Sequence, residues 1–295
     1  MSPALIQRRL GNIVLDRIIE TESADPFFDP LEFFPETTPA HWEPHKAWMQ
    51  PRAMDPASGK LVLAIQSFLM RTRHHTIVVD TCVGDHKSRS MPRWNMTSSG
   101  QWLANLAAAG VRPEAVDYVM CTHLHRDHVG WNTVLRDGRW VPTFPNATYI
   151  FSQKEYDYWA TQPDARPNEG FADSVRPVVE AGRAALVAND FALDDEVWLE
   201  PTPGHTPDHM SVHLKSNGAQ GVITGDLIHT PVQCLEPIWA MRADFDRDLA
   251  RKTRRAFLER YCGTDVLVCA THFPSPSWGR VVPRSDAFWF EFEGD

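Results

Sequence analysis

Short apolar runs recur along the chain and alternate with amphipathic segments. The runs are typical of buried strands and the amphipathic segments of helices, so the pattern predicts a layered α/β protein with two similar halves. The predicted strands cover residues 11–20, 61–70, 76–80, 115–121, 147–151, 196–200, 210–214, 221–224 and 265–270. The predicted helices cover residues 101–110, 152–161, a segment around 172–186, and 246–261.

The first 58 residues differ in composition from the rest of the chain. Between residues 22 and 58, seven prolines are interspersed with aromatic side chains. Prolines at this density argue against a regular helix or a central strand, and the aromatic residues argue against a free linker. We therefore expect residues 1–58 to form an ordered extension on one domain that covers residues 1–295. The extension would pack over a cleft or against a partner subunit, and exposed aromatic side chains there favour a homodimer.

Charge and cysteine usage narrow the class of protein. The chain of 295 residues carries 29 basic and 38 acidic side chains, a formal net charge of −9. An acidic surface does not suit phosphate backbones or anionic lipid. The five cysteines form no C-x-x-C pair. Residues 1–9 lack the apolar segment of a signal peptide. No apolar run reaches the ~18 residues of a membrane span. We expect a soluble cytoplasmic protein that binds neither nucleic acid nor membrane.

Potential metal ligands are concentrated directly after the predicted strand 115–121. His123, His125, Asp127 and His128 lie within six consecutive positions. Imidazole and carboxylate are ligands that suit zinc and similar metals. A loop at the end of a strand turns alternate side chains toward one point. We therefore expect His123 and His125 to face one ion, and Asp127 and His128 to face another.

Three later positions repeat this arrangement. His205, Asp226 and His272 each follow a predicted strand in a short turn. Ligand sites in α/β sheets are built at this edge. Each residue taken alone has an ordinary explanation as a turn residue, but together with the first cluster they predict one metal site.

The order His123-x-His125-x-Asp127-His128, then His205, Asp226 and His272, resembles the metallo-β-lactamase fold superfamily over roughly residues 60–280. The resemblance implies an αββα sandwich with a dinuclear site. His123, His125 and His205 would hold the first metal, Asp127, His128 and His272 the second, and Asp226 would bridge them. Asp80 matches the superfamily's aspartate behind the first metal-binding loop. Two zinc ions per chain are expected, although iron, manganese and cobalt also accept nitrogen and oxygen ligands.

One branch of the superfamily matches best. The aromatic-rich extension, the segment 128–132 and the segment 225–229 resemble N-acyl homoserine lactonases, methyl-parathion-type organophosphate hydrolases and hydrolytic aryl dehalogenases. Some of these lactonases carry a tyrosine three positions after the bridging aspartate, where it assists the carbonyl oxygen. Here that position is His229, which departs from the lactonase pattern. An imidazole can still donate a hydrogen bond or a proton.

We therefore expect a zinc hydrolase in which a metal-bridging hydroxide attacks a lactone or a related cyclic or aryl ester. Asp127 or His229 would move the proton. Eleven tryptophans favour a small apolar or aromatic substrate, and Met91 and Trp94 are expected in a pocket wall or mobile flap. Hydrolysis of organophosphate triesters or aryl halides by the same site is the nearest rival. β-Lactam hydrolysis, iron-dependent oxygenation and a non-catalytic metal-binding role are further alternatives.

Overall fold

The computed structural model describes residues 6–162 and 169–294. Residues 1–5 of the predicted extension, residues 163–168 and Asp295 lie outside these ranges. The strands are β1 Gln7–Leu10, β2 Ile13–Ala24, β3 Val62–Arg71, β4 Thr76–Val79, β5 Tyr118–Met120, β6 Thr133–Arg136, β7 Arg139–Pro142, β8 Thr148–Ser152, β9 Ala184–Val187, β10 Val197–Pro201, β11 Met210–Ser216, β12 Ala219–Ile223, β13 Leu267–Cys269, β14 Trp278–Arg284 and β15 Ala287–Phe292. The α-helices are α1 Pro30–Phe33, α2 Pro39–Met49, α3 Gln101–Ala108, α4 Arg126–Val129, α5 Gln153–Thr161, α6 Arg176–Glu180, α7 Val232–Leu235 and α8 Arg247–Tyr261.

Two mixed sheets form the centre of the molecule. One has seven strands in the order β1-β2-β3-β4-β5-β8-β9, and the other has six in the order β10 to β15. β4, β5, β8 and β9 run parallel, as do β12 and β13, and the remaining neighbours within these sheets are antiparallel. β6 and β7 form a separate hairpin. The parallel strands end at the same edge, which is where the predicted ligands follow.

Apolar side chains fill three layers. Leu15 and Phe68 of the larger sheet share one buried cluster with Val212 and Ile223 of the smaller sheet, so the two sheets face each other. A second cluster joins the outer face of the larger sheet to α3 and α5. A third joins the outer face of the smaller sheet to α8. The order helix, sheet, sheet, helix confirms the expected αββα sandwich.

The helix predicted around 172–186 is wrong in its second half. A π-helix at Phe171–Val175 leads into α6, which ends at Glu180. Gly182 follows with a φ of 67°, a backbone conformation that favours glycine and ends a helix. The apolar residues after it form β9 at the edge of the larger sheet. The glycine was the signal for this boundary.

The expectation that prolines prevent a regular helix in the extension is also wrong. α2 runs for eleven residues, Pro39–Met49. Pro39 occupies its first turn, where the missing N–H would have had no helical partner. Pro44 lies inside the helix, so one backbone hydrogen bond is absent there.

The extension packs against the main body through its aromatic residues. Phe28, Phe33, Phe34 and Trp42 share a buried cluster with residues of β3, α7 and two loops, among them Leu63, Met91, Val232 and Trp239. This cluster lies at the edge where the strands end, so the extension forms part of the wall of the site described below. Among the described residues, no helix is long and apolar enough to cross a membrane.

Candidate dinuclear metal centre

Turns from both sheets bring the seven predicted ligands together. His123 and His125 follow β5, and Asp127 and His128 lie in α4. His205 lies between β10 and β11, whereas Asp226 and His272 follow β12 and β13. Gly225, with a φ of 55°, allows the turn at Asp226. A Cβ atom at Gly225 would stand 2.5 Å from His209 Nε2, so the close approach there requires glycine.

The first group of ligand atoms comes from His123, His125, His205 and Asp226. His125 Nδ1 lies 3.1 Å from His123 Nε2 and 3.0 Å from His205 Nε2. Asp226 Oδ2 lies 3.1 Å from His205 Nε2. These atoms converge within 4.8 Å of one another. Three imidazole nitrogens and one carboxylate oxygen are a donor set that suits a four-coordinate metal ion such as zinc.

The second group comes from Asp127, His128 and His272. Asp127 Oδ2 lies 4.0 Å from His128 Nε2 and 3.9 Å from His272 Nε2. Asp226 Oδ1 lies 3.0 Å from His128 Nε2 and 2.9 Å from His272 Nε2. The two oxygens of Asp226 therefore face different groups, which is the geometry of a bridging carboxylate.

Most ligand histidines have a hydrogen-bond partner on the ring nitrogen that faces away from the centre. Such partners fix the tautomer and the orientation of the ring. The contacts are His128 Nδ1 to Asp80 Oδ2 at 2.9 Å, His205 Nδ1 to Asp244 Oδ1 at 2.8 Å, His272 Nδ1 to the Ala64 carbonyl at 2.8 Å, and His123 Nδ1 to Thr122 Oγ1 at 3.0 Å. Asp80 thus occupies the position that the resemblance implied.

Two polar residues near the centre were not found from the sequence. Asp244 orients His205, and His209 Nε2 accepts a hydrogen bond of 2.9 Å from the Asp226 backbone N–H. Burial lowers the pKa of His209 to about 3, so this ring stays neutral and can act as an acceptor. Asp244 has no motif around it. The second histidine of the segment 205–209 was the available signal for His209.

The electrostatics of the cluster fit bound cations. Burial opposes the positive charge on His128 and His205, but Asp226 outweighs it and raises their pKa, to about 9 for His205. Burial alone would raise the pKa of Asp226, but His128 and the other surrounding histidines hold it well below its usual range. His128 Nε2 and Asp226 Oδ1 are buried and lie 3.0 Å apart, but among the described residues neither has a partner in hydrogen-bond geometry. Buried polar atoms are normally satisfied, and metal ions would satisfy these two.

A narrow pocket leads to the centre and encloses about 120 Å³. Its floor includes His125, Asp127, Asp226, His229 and His272. The walls come from distant segments: Phe28, Phe33, Leu63, Ile65, Met91, Trp94, Arg126, Met241, Arg242 and Ala243. Met91 and Trp94 therefore lie in the wall, as expected. The segment 241–243 was not anticipated, because its sequence carries no chemical motif.

His229 lies beside the carboxylate of Asp226. Its Nε2 is 3.2 Å from Asp226 Oδ2, and its ring stacks on His272 with centroids 5.7 Å apart. Burial lowers the pKa of His229, which favours the neutral ring near pH 7. Its Nδ1 is buried without a hydrogen-bond partner among the described residues.

Comparison with known proteins identifies the family. The model of the metallo-β-lactamase superfamily matches residues 61–272, most of the chain. The chain belongs to the metallo-β-lactamase superfamily. The matched segment contains all seven residues of the two ligand groups, and it begins just after the aromatic extension.

Relatives within the superfamily include N-acyl homoserine lactonases. AttM of Azorhizobium caulinodans is 32% identical over 123 residues, which is 39% of this chain and 43% of AttM. The N-acyl homoserine lactonase of a Bacillus species is 25% identical over 177 residues, 56% of this chain and 64% of that protein. The alignments thus span about two fifths of the first relative and less than two thirds of the second.

Solved structures match this fold over nearly the whole chain. AidC, a dizinc quorum-quenching lactonase solved with the product N-hexanoyl-L-homoserine, has a TM-score of 0.80 at 21% identity and covers 99% of this chain and 98% of its own. The hydrolase AbOPH of the same superfamily has a TM-score of 0.79 at 25% identity and covers 98% of this chain and 97% of its own. The coverage of this chain includes the N-terminal extension, so the likeness of fold extends beyond residues 61–272.

Proposed function

We propose that this protein is a dizinc hydrolase that opens lactones. The observation that carries the proposal is the position of Asp226, whose two oxygens face separate ligand groups at the floor of a narrow pocket. Bridged metal pairs of this kind are suited to hydrolysis. The names of the lactonase relatives and of the dizinc neighbour support the same reaction.

The positions of the seven ligand residues suggest which of them would hold each zinc ion. His123, His125 and His205 would hold one zinc ion, Asp127, His128 and His272 the other, and Asp226 both. Zinc bound there would supply a hydroxide nucleophile at neutral pH and polarise the carbonyl oxygen of the substrate. Asp80, Asp244 and the Ala64 carbonyl would hold the histidine rings in their ligand tautomers.

Two side chains would move the proton. Asp127 lies on the pocket floor with its side chain partly exposed, so its carboxylate can take up the proton of the nucleophile and pass it to the alkoxide oxygen that leaves as the ring opens. His229 takes the place of the tyrosine found in some lactonases. Its neutral ring, beside Asp226 and next to the pocket, can hydrogen-bond the carbonyl oxygen or carry the proton itself.

The size and lining of the pocket favour a small ring with an apolar substituent. A cavity of roughly 150 Å³ holds a benzene molecule, so about 120 Å³ accommodates one small ring and little more. Aromatic and thioether side chains surround it, which suits an uncharged substrate. With the ring bound in the cavity, a longer substituent would extend outward along Phe28, Phe33 and Trp94. N-acyl homoserine lactones have this shape and are the first class to test.

The test is to measure metal content by elemental mass spectrometry and hydrolysis across a substrate panel. The panel contains acyl homoserine lactones, plain lactones, aryl esters, phosphotriesters, aryl halides and a chromogenic β-lactam. Two zinc ions per chain with chelator-sensitive lactone opening would support the proposal. Faster turnover of phosphotriesters or aryl halides would instead assign the site to one of those rival activities. One iron per chain with oxygen consumption and no hydrolysis would refute it.

A further inference from the structure

The turn that carries His272 is held by the opposite sheet. Residues 270–277 connect β13 to β14 in the smaller sheet, yet they pack against β3 of the larger one. His272 Nδ1 lies 2.8 Å from the Ala64 carbonyl, and the Ala64 N–H donates to the His272 carbonyl at 3.0 Å. β3 therefore holds both the ring and the backbone of this ligand.

Gln66 extends the same contact. It lies two positions along β3 from Ala64 and therefore points to the same face of the strand. Its Nε2 donates to the Thr271 carbonyl at 2.8 Å and to Ser277 Oγ. The side chain of Ser277 in turn donates to the Ala270 carbonyl at 2.6 Å. One buried amide thus reaches both ends of the turn around His272.

The amide of Gln66 is itself held by a buried arginine. Arg17 Nε donates to Gln66 Oε1, and because a guanidinium only donates, this contact fixes which end of the amide faces the turn. Arg17 Nη1 donates to Ser275 Oγ at 2.8 Å, and Nη2 pairs with Glu22 at 3.1 Å. Glu22 also accepts the Ser275 N–H at 3.0 Å. The network crosses from β2 through β3 to the turn.

Stability alone does not account for this network. The side chain of Arg17 is fully buried, and burial lowers its pKa, which shows the cost of its charge. Apolar residues of similar volume often stabilise a protein as well as a buried ionic group does. What apolar residues cannot supply is a directional contact to the Thr271 carbonyl, one residue before the ligand.

We propose that Gln66, oriented by Arg17, is a positioning residue that sets the affinity of the second metal position through His272. His272 must meet Asp127 and His128, which belong to the other half of the protein, so the fit depends on how the two halves are held together. The first metal position takes His205 from a different turn, which this network does not touch. The proposal rests on the dinuclear centre and not on the proposed substrate.

The experiment is a zinc titration of the metal-free protein with the variants Gln66→Leu and Gln66→Glu. Each titration gives one dissociation constant for the first zinc and one for the second. Gln66→Leu removes every contact of the amide. Gln66→Glu keeps the contact with Arg17 but turns an oxygen toward the Thr271 carbonyl, and it serves if the leucine variant fails to fold. Arg71→Met is the matched control, because Arg71 pairs with Asp16 between the same two strands, at the far end of β3.

We expect the first zinc to bind both Gln66 variants as it binds the parent. The second zinc should bind about tenfold more weakly, which is the lower end of the loss expected when a ligand's own hydrogen-bond partner is removed. The absorption spectrum of the cobalt-substituted protein should change only for the second equivalent. Arg71→Met should lower thermal stability without changing either constant.

Equal weakening of both zinc ions would overturn the proposal, as would an unchanged second constant in Gln66→Leu or Gln66→Glu. The same holds if Arg71→Met weakens the second zinc as much as the Gln66 variants do. The titration contains no substrate, so a failure to find lactonase activity leaves this test intact.

Discussion

The ring of Phe33 meets the ring of His229 edge-on, with the two centroids 5.6 Å apart. Phe33 belongs to α1 in the extension, whereas His229 follows Asp226 by three positions. The extension therefore supports a side chain at the floor of the site and is more than an outer cover. An edge-to-face contact of this kind also fixes the rotation of the imidazole ring.

Replacing Phe33 by leucine should impair turnover more than folding. The substitution removes the edge contact, frees the His229 ring and widens the pocket, so kcat/KM for the preferred substrate should fall by about tenfold or more, as expected when a catalytic group loses its position. The measurement is steady-state kinetics on the zinc-loaded protein. Phe34→Leu is the matched control, because Phe34 is buried in the same segment and its ring meets Phe33, Trp42 and Trp239 rather than His229. Equal kinetic losses in both variants would contradict this role of Phe33.

His229→Ala should lower kcat while the metal content stays at two. General acid–base groups contribute typically 10²- to 10⁴-fold, so we expect kcat to fall by about that factor if His229 moves the proton. Zinc analysis of the same sample separates this effect from loss of the metals. A kcat within threefold of the parent would leave Asp127 as the remaining proton carrier.

Asp226→Asn should reduce the zinc content from two ions to one. An amide has a single oxygen to offer as a ligand, and its NH₂ group cannot take the second position. The readout is elemental analysis after dialysis against limiting zinc. Two tightly held zinc ions in this variant would show that Asp226 is not the bridge.

Zinc binding at pH 7 should release protons. The pKa of His205 is raised to about 9 and that of His128 also lies well above its usual value, so both rings hold a proton at pH 7 in the metal-free protein. Metal ligation requires neutral imidazole, which forces those protons into the buffer. Calorimetric titrations in buffers of different ionisation enthalpy give the number released. An observed binding enthalpy that is the same in every buffer would contradict the expectation, because it would mean that no protons are released.

Lys87 should make stability rise with pH above neutrality. It is fully buried, donates to Thr133 Oγ1 at 2.7 Å, and lies over the ring of Trp140. Burial lowers its pKa from 10.5 to about 7, so between these values the unfolded chain holds a proton that the folded chain has released. The free energy of unfolding therefore increases with pH across this window.

Denaturant unfolding at pH 7 and pH 10 measures the effect of Lys87. The parent should gain stability relative to Lys87→Met over that interval, because the variant lacks the titrating amine. Parallel pH profiles of the two proteins would show that Lys87 keeps its proton when folded.

The features that could be predicted from the sequence are those that depend on residue type and on neighbouring residues in the chain. The seven ligand residues are of types that bind metal and follow strands, so their position at one edge of the sheets could be anticipated. Asp244 and Gln66 could not, because their roles depend on contacts with residues 39 and 205 positions away. A single hydrogen bond across such a distance leaves no pattern in the sequence around either residue.

Six strands of the described residues, β1, β6, β7, β9, β14 and β15, were not predicted, and the last two show why. β14 contains Pro283, which argues against a strand in the middle of a sheet. β13 pairs only with the first two residues of β14, so at Pro283 the strand has one neighbour, β15, and the absent N–H matters less. The alternating aromatic residues of β15 were a usable signal that the strand prediction overlooked.

Each ligand group takes residues from both halves of the protein, so metal binding depends on how the two halves pack together. Neither half offers a complete set of donors alone, so the metal pair could have become useful only once both halves shared a common interface. A substitution that shifts one sheet against the other changes metal affinity and cohesion together. Selection on either property would therefore act on the same residues. The loops and the extension around the pocket would be freer to change and so to accommodate new substrates.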